Sequence, residues 1–167
     1  MTKTLINIEK KNHDLDLDRP KTLYFAYGSN LNMSRMKERC PESHAFSLAR
    51  VNYMRFIIND LGVATIVNDF TGTVFGALWE ISAVDEENLD HYEGVKYGLY
   101  EKRFIEAICL DGNSFEALVY IATNDKSGRP RKNYLNTILT GINDFGGHSS
   151  WKEEVGAWRF GPVRSPA

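Results

Sequence analysis

Two places in this 167-residue chain combine residue types and spacing that could do chemistry. The first is the run T-L-Y-F-A-Y-G-S-N-L at residues 22–31, where an aromatic apolar segment stops at Gly28-Ser29-Asn30. Tyr, Phe and Leu suit a buried strand. Gly28 permits a turn, or the approach of a ligand to bare backbone. Ser29 and Asn30 can bond nearby amides or cap the helix that follows. A strand that runs into a small polar loop and a helix start presents several backbone N–H groups together, an arrangement that suits an anion. An ordinary strand–turn–helix junction fits the same residues.

The second place is Glu93. Ser82-Ala83-Val84-Asp85 reads as a capping box with Asp in place of Glu. It opens a helix over residues 83–93, which Gly94 ends at the C′ position. Leu89 and Glu93 are four apart and share a face, so if Leu89 packs inward Glu93 does too. That sets a carboxyl against the body of the protein at the negative end of a helix dipole. Burial and dipole both push its pKa upward, as a general acid/base requires. The alternative is a helix-end glutamate turned to solvent.

Other chemistries find little support. His13, His44, His91 and His148 are scattered without paired-ligand spacing, so no metal is expected. Ser29 does not sit in a G-x-S-x-G elbow. Gly28 stands alone, and no G-x-x-x-x-G-K-[ST] run occurs, so no phosphate-binding fingerprint is present. Cys40 and Cys109 lack metal or redox spacing and read as reduced thiols. The net charge of −2 gives no electrostatic case for nucleic acid or an anionic membrane. No apolar run reaches the length of a membrane span, and residues 1–21 lack a signal-peptide core. The expectation is a cytoplasmic protein.

The elements that must position these residues follow from pattern. Residues 1–20 are read as a flexible extension and residues 21–167 as a single domain. A short helix spans 33–39. One or two strands occupy 44–59, Gly62 is a turn, and strands at 63–67 and 73–81 flank a turn at 68–72. Strands at 101–110 and 114–123 form a hairpin around Asp111-Gly112-Asn113. A polar loop follows at 126–131. Leu135, Ile138, Leu139 and Ile142 mark a helix over 133–145, broken by Gly146-Gly147. Ser149 caps a last helix over 151–158, and the tail 160–167 is loose. Many short strands with few helices predict an α+β fold, a mixed barrel or curved sheet with helices at its edge.

Y-F-A-Y-G-S-N-L at 24–31, followed by L-D-H-Y-E-G-V-K-Y-G-L-Y at 89–100, resembles the γ-glutamylcyclotransferase family. The resemblance covers residues 22–139. It leaves out the polar N-terminus, and the region after Phe145 departs from the family pattern. It implies a small mixed β-barrel flanked by helices. It also implies that Tyr27, Gly28, Ser29, Asn30 and Leu31 cradle a γ-glutamyl group, that Glu93 is the catalytic glutamate, and that Tyr100, Tyr120 and Tyr134 line the pocket. The implied reaction closes a γ-glutamyl amide onto its own α-amine, giving 5-oxoproline and a free amine, with no cofactor. The partner is a small γ-glutamyl substrate, and the protein is a monomer or homodimer. Two rivals stand beside it: a non-catalytic ligand-binding member of the same fold, and an amide hydrolase using Ser29.

Overall fold

The aromatic run becomes strand β1, Thr22–Ala26, and its last three residues are buried. The computed structural model describes residues 21–163; the readings of residues 1–20 and of the last part of the tail lie outside them. After β1 come a single 3-10 turn at Ser29–Leu31 and helix α1, Met33–Arg39. Asn32 caps α1 by accepting from the Arg35 N–H at 3.0 Å. Two long strands follow, β2 (His44–Ile58) and β3 (Ala64–Ile81), then helix α2 (Ala83–Tyr92). The hairpin of β4 (Tyr100–Cys109) and β5 (Ser114–Ala122) turns at Gly112, whose φ is +84°. Helices α3 (Tyr134–Asp144) and α4 (Ser149–Gly156) complete the order, and α4 runs on into a 3-10 turn at Ala157–Phe160.

The five strands close into a barrel in the order β1-β3-β2-β4-β5. Four of the pairings are antiparallel; β1 joins β5 in parallel to seal it. The expected small mixed β-barrel with flanking helices is the fold observed. Phe25, Ile57, Ile66, Leu78 and Leu118 are fully buried in its core, joined by Ile138 and Ile142 of α3 and by Leu89 of α2.

Two local readings need correction. Residues 63–67 and 73–81 are one strand, because both parts pair with the same long β2. The sequence 68–72 does turn, but as a bulge. Between the pairs Asn52↔Thr73 and Met54↔Asn68, Tyr53 alone faces the extra residues of β3. Tyr53 takes a φ of +66° there. The last helix starts at Ser149, and its cap is His148, whose side chain accepts from the Ser150 N–H. Among the described residues, no helix is long and apolar enough to cross a membrane.

Candidate active site

The loop after β1 owes its shape to Gly28 and to what packs on it. A Cβ there would stand 3.1 Å from that of Ala64. The turn uses the Leu31 and Asn32 N–H groups for bonds to Gly28 O (3.0 Å) and Ser29 O (3.1 Å). Among the described residues, the N–H groups of Gly28, Ser29 and Asn30 have no such partner. They are available to an anion or a developing oxyanion.

Asn30 is buried at 3% exposure, with its side chain and its carbonyl both engaged. Its Nδ2 donates to Tyr24 Oη at 3.0 Å and, more loosely, to Glu93 Oε1 at 3.4 Å. Its Oδ1 accepts from Arg39 Nη1 at 3.0 Å, and its carbonyl accepts from the Trp79 indole at 3.1 Å. The loop residue and the helix-end carboxyl, 63 positions apart, are thus in direct contact.

Helix α2 opens on the expected capping box, with Ser82 and Asp85 bonding reciprocally. Leu89 is buried, and Glu93 follows it inward as the C-cap residue. Gly94 then leaves the helix in the left-handed region at φ +63°. Burial pushes the Glu93 carboxyl up to about 7, against the opposing pull of the Arg39 and Arg35 guanidinium groups.

Glu93, Tyr27, Gly28, Ser29, Asn30, Tyr100, Tyr120 and Tyr134 all line one cavity of about 460 Å³. Leu31 does not. It is fully buried beneath the loop against Gly141 of α3, because the 3-10 turn rotates its side chain into the core. The tyrosines are held by specific bonds. Tyr27 Oη donates to Tyr120 O (2.5 Å), Tyr100 Oη to Ala64 O (2.7 Å) and Tyr120 Oη to Asp90 Oδ1 (2.7 Å). Tyr134 Oη accepts from Ala64 N–H at 3.0 Å. Burial raises all four phenol pKa values, so the rings stay neutral at neutral pH.

Sequence reasoning did not single out Tyr24, Arg35, Arg39, Arg131 or Lys132, which also line the cavity. Arg35 and Arg39 are four apart on α1 and so share a face, a signal present in the sequence. Arg131 and Lys132 belong to a polar loop with no periodicity to read. The Arg39 guanidinium also lies 4.4 Å from the centre of the Tyr92 ring. Among the described residues, no histidine lines the cavity and no cluster able to hold a metal ion occurs. Burial pushes the Cys40 thiol up to about 12, leaving it unreactive at neutral pH.

Residues 73–147 match the model of the AIG2-like family. The chain is 29% identical to the human protein named Gamma-glutamylcyclotransferase over 150 residues, 84% of this chain and 80% of that one. It is 30% identical to the Bos taurus protein of the same name over 139 residues, 77% of this chain and 74% of that one. A solved structure named Gamma-glutamyl cyclotransferase superposes with a TM-score of 0.78 at 28% identity, covering 83% of this chain and 88% of its own. YkqA from Bacillus subtilis shares the fold, with a TM-score of 0.75 at 18% identity over 90% of this chain and 58% of its own. A barrel that superposes on a solved structure of that name, and a sequence aligned to its mammalian bearers over most of their length, place this chain in the γ-glutamylcyclotransferase family of enzymes.

Proposed function

We propose that the protein converts a γ-glutamyl amino acid to 5-oxoproline and the free amino acid, with Glu93 as its acid/base. The observation that carries this reading is a buried carboxyl, in contact with Asn30, that shares one cavity with a loop whose N–H groups are free; burial pushes that carboxyl up to about 7. In its ionised form Glu93 takes a proton from the substrate's α-ammonium group. The neutral amine attacks the γ-carbonyl carbon, forming the C–N bond of the five-membered ring and placing negative charge on the carbonyl oxygen. Collapse of that adduct breaks the original amide bond: the leaving nitrogen takes up the proton held by Glu93, and the new ring nitrogen then gives its second proton to the restored carboxylate, which passes it to the departing amine. One group with a pKa near the working pH serves both transfers. Because nucleophile and electrophile belong to one molecule, holding the glutamyl chain folded supplies much of the rate; effective molarities of about 10⁵ M or more are reached in such ring closures.

Arg35, Arg131 and Lys132 favour an amino acid over a simple amine as the leaving group, since they surround the cavity with positive charge that a carboxylate matches. γ-Glutamyl-amines and γ-glutamylated biosynthetic intermediates would place a neutral or cationic group there. Incubation with a panel of γ-glutamyl amino acids and γ-glutamyl-amines, assayed for 5-oxoproline and free glutamate, tests the reading. Turnover of amines in preference to amino acids would reverse the leaving-group assignment. A binding protein would give no product from any of them.

The pH dependence has a defined sign. Because Glu93 must be ionised to accept the proton, kcat/KM should fall as pH drops below about 7, by about tenfold per unit, and flatten above it. A profile flat between pH 5 and pH 8 would exclude Glu93 as the base. Ser29 lies within hydrogen-bonding reach of Tyr134, and among the described residues no histidine stands beside it to activate it. Ser29→Ala should lower the rate by about tenfold, the scale of one lost hydrogen bond, and still yield 5-oxoproline. Free glutamate from the wild type, with an acyl-enzyme trapped on Ser29, would instead favour the hydrolase.

A further inference from the structure

Lys102 lies outside the cavity, on β4, directly across the hairpin from Tyr120 of β5. Its Nζ reaches Glu86 Oε2 at 3.2 Å and Asp90 Oδ1 at 3.0 Å. These carboxylates are four apart on one face of α2, the helix that ends in Glu93. Asp90 Oδ1 also accepts from the Tyr120 hydroxyl at 2.7 Å. The Tyr120 ring meets Tyr24 edge-on at 5.7 Å, Tyr24 Oη accepts from Asn30, and Asn30 donates onward to Glu93. The contacts therefore make a closed circuit: from Glu93 back along α2 to Asp90, across to Tyr120 and Tyr24, and through Asn30 to Glu93 again. Lys102 is the cation that fastens the helix side of this circuit to the barrel wall.

We propose that Lys102 and Asp90 are a positioning pair that fixes the Glu93 carboxyl against the 28–30 loop. The role in turnover rests on the acid/base reading of Glu93. The three side chains are each about one-third exposed, at 29%, 34% and 31% for Lys102, Asp90 and Glu86. Ion pairs this exposed add little to global stability. What they fix here is the rotation and height of a helix end. Displacements of about 1 Å in a catalytic group can lower rates by about 100-fold.

Several charged and titratable groups face Glu93. Arg35 and Arg39 approach from α1 and favour its ionised form. Tyr24 and Tyr27 from the β1 side, Tyr100 from β4 and Tyr134 from α3 are neutral phenols at the working pH. Removing the Lys102 ammonium frees Asp90 and Glu86 of α2 from β4. A shift of the helix end takes Glu93 away from the Arg39 and Arg35 guanidinium groups, which favour its ionised form, so the Glu93 midpoint should move up.

The test compares the wild type with Lys102→Met and Lys102→Arg in the full-length protein, by 5-oxoproline formation and by ¹³C NMR titration of the Glu93 carboxyl. Lys102→Met should lower kcat by about tenfold or more with a smaller change in KM. It should also raise the Glu93 midpoint and leave the thermal midpoint nearly unchanged. Lys102→Arg, which keeps the charge and the reach, should restore both readouts. If the wild type forms no 5-oxoproline, the proposed reaction fails while the titration still decides the clamp. A folded Lys102→Met with an unmoved Glu93 midpoint, or with unchanged kcat in an active enzyme, overturns the inference.

Discussion

Glu93→Gln should abolish 5-oxoproline formation, by about 10³-fold or more, while making the protein more stable above pH 7. The loss follows from the mechanism: glutamine can neither take the α-ammonium proton nor return it to the leaving amine, and general acid/base groups typically carry factors of about 10²–10⁴. The gain follows from linkage. The carboxyl's pKa rises from 4.5 to about 7 on folding. A carboxyl raised in this way favours the folded state when protonated. That contribution is fully present below about 4.5 and is lost as pH rises through about 7. The full shift corresponds to roughly 3 kcal/mol against the ionised form, and hydration of a partly exposed group reduces this to about 1–2 kcal/mol. Glutamine imitates the protonated form at every pH. Melts at pH 8 should therefore show the variant about 3–6 °C above the wild type, with the difference gone by pH 4.5. A variant equally inactive but no more stable at pH 8 would mean that the wild-type carboxyl is better solvated than its surroundings imply. Retained turnover would remove Glu93 from the mechanism.

Gly141→Ala should destabilise the protein and weaken turnover, although position 141 touches no substrate. In an isolated helix the change would help by about 1 kcal/mol, since alanine is the better helix former. Here the added Cβ would lie 2.4 Å from the Leu31 carbonyl carbon and 2.5 Å from the Asn32 nitrogen. Both are backbone atoms, so no side chain can swing aside. Either α3 moves away from the barrel or the Ser29–Leu31 turn is pushed toward the cavity. Overpacking of this kind costs about 1–3 kcal/mol or more, which exceeds the helical gain. For a domain of this size a net loss of about 2 kcal/mol lowers the thermal midpoint by about 4–8 °C. The same displacement moves the Gly28, Ser29 and Asn30 amides, so kcat should fall with the melting temperature. A variant that melts at or above the wild type would show that α3 does not hold the loop.

The two predictions draw on different levels of the molecule. Glu93 could be reached from local pattern: a capping box fixes where α2 begins, Gly94 fixes where it ends, and the four-residue spacing from Leu89 carries the carboxyl inward. Each rule concerns neighbours on one helix, and each was legible. The same holds for the hairpin at Gly112 and for the end of β1 at the loop, where short-range turn chemistry decides the outcome. The aliphatic spacing in α3 was legible for the same reason. Pattern failed where pairing at a distance decided the matter. Residues 68–72 carry turn residues, yet the strands on both sides add to one partner, and the turn survives as a bulge opposite Tyr53.

Residue types and short spacings by themselves determined that a small polar loop follows a buried strand, that Glu93 ends a helix on the same face as Leu89, and that strands dominate the fold. Those features rest on backbone preference and hydrophobic period, which operate over a few residues. Only the tertiary structure decided that the loop and the carboxyl meet. Closure of the barrel by the parallel β1–β5 pair brings Tyr24 beside Tyr120, and the packing of α1 and α3 on the loop sets Asn30 between Arg39, Tyr24 and Glu93. It also decided that Leu31 serves the core and that Gly141 must have no side chain, since both depend on how closely one helix approaches another segment's backbone. Contacts across 63 residues arise from the summed burial of the whole barrel, a quantity that no local window contains.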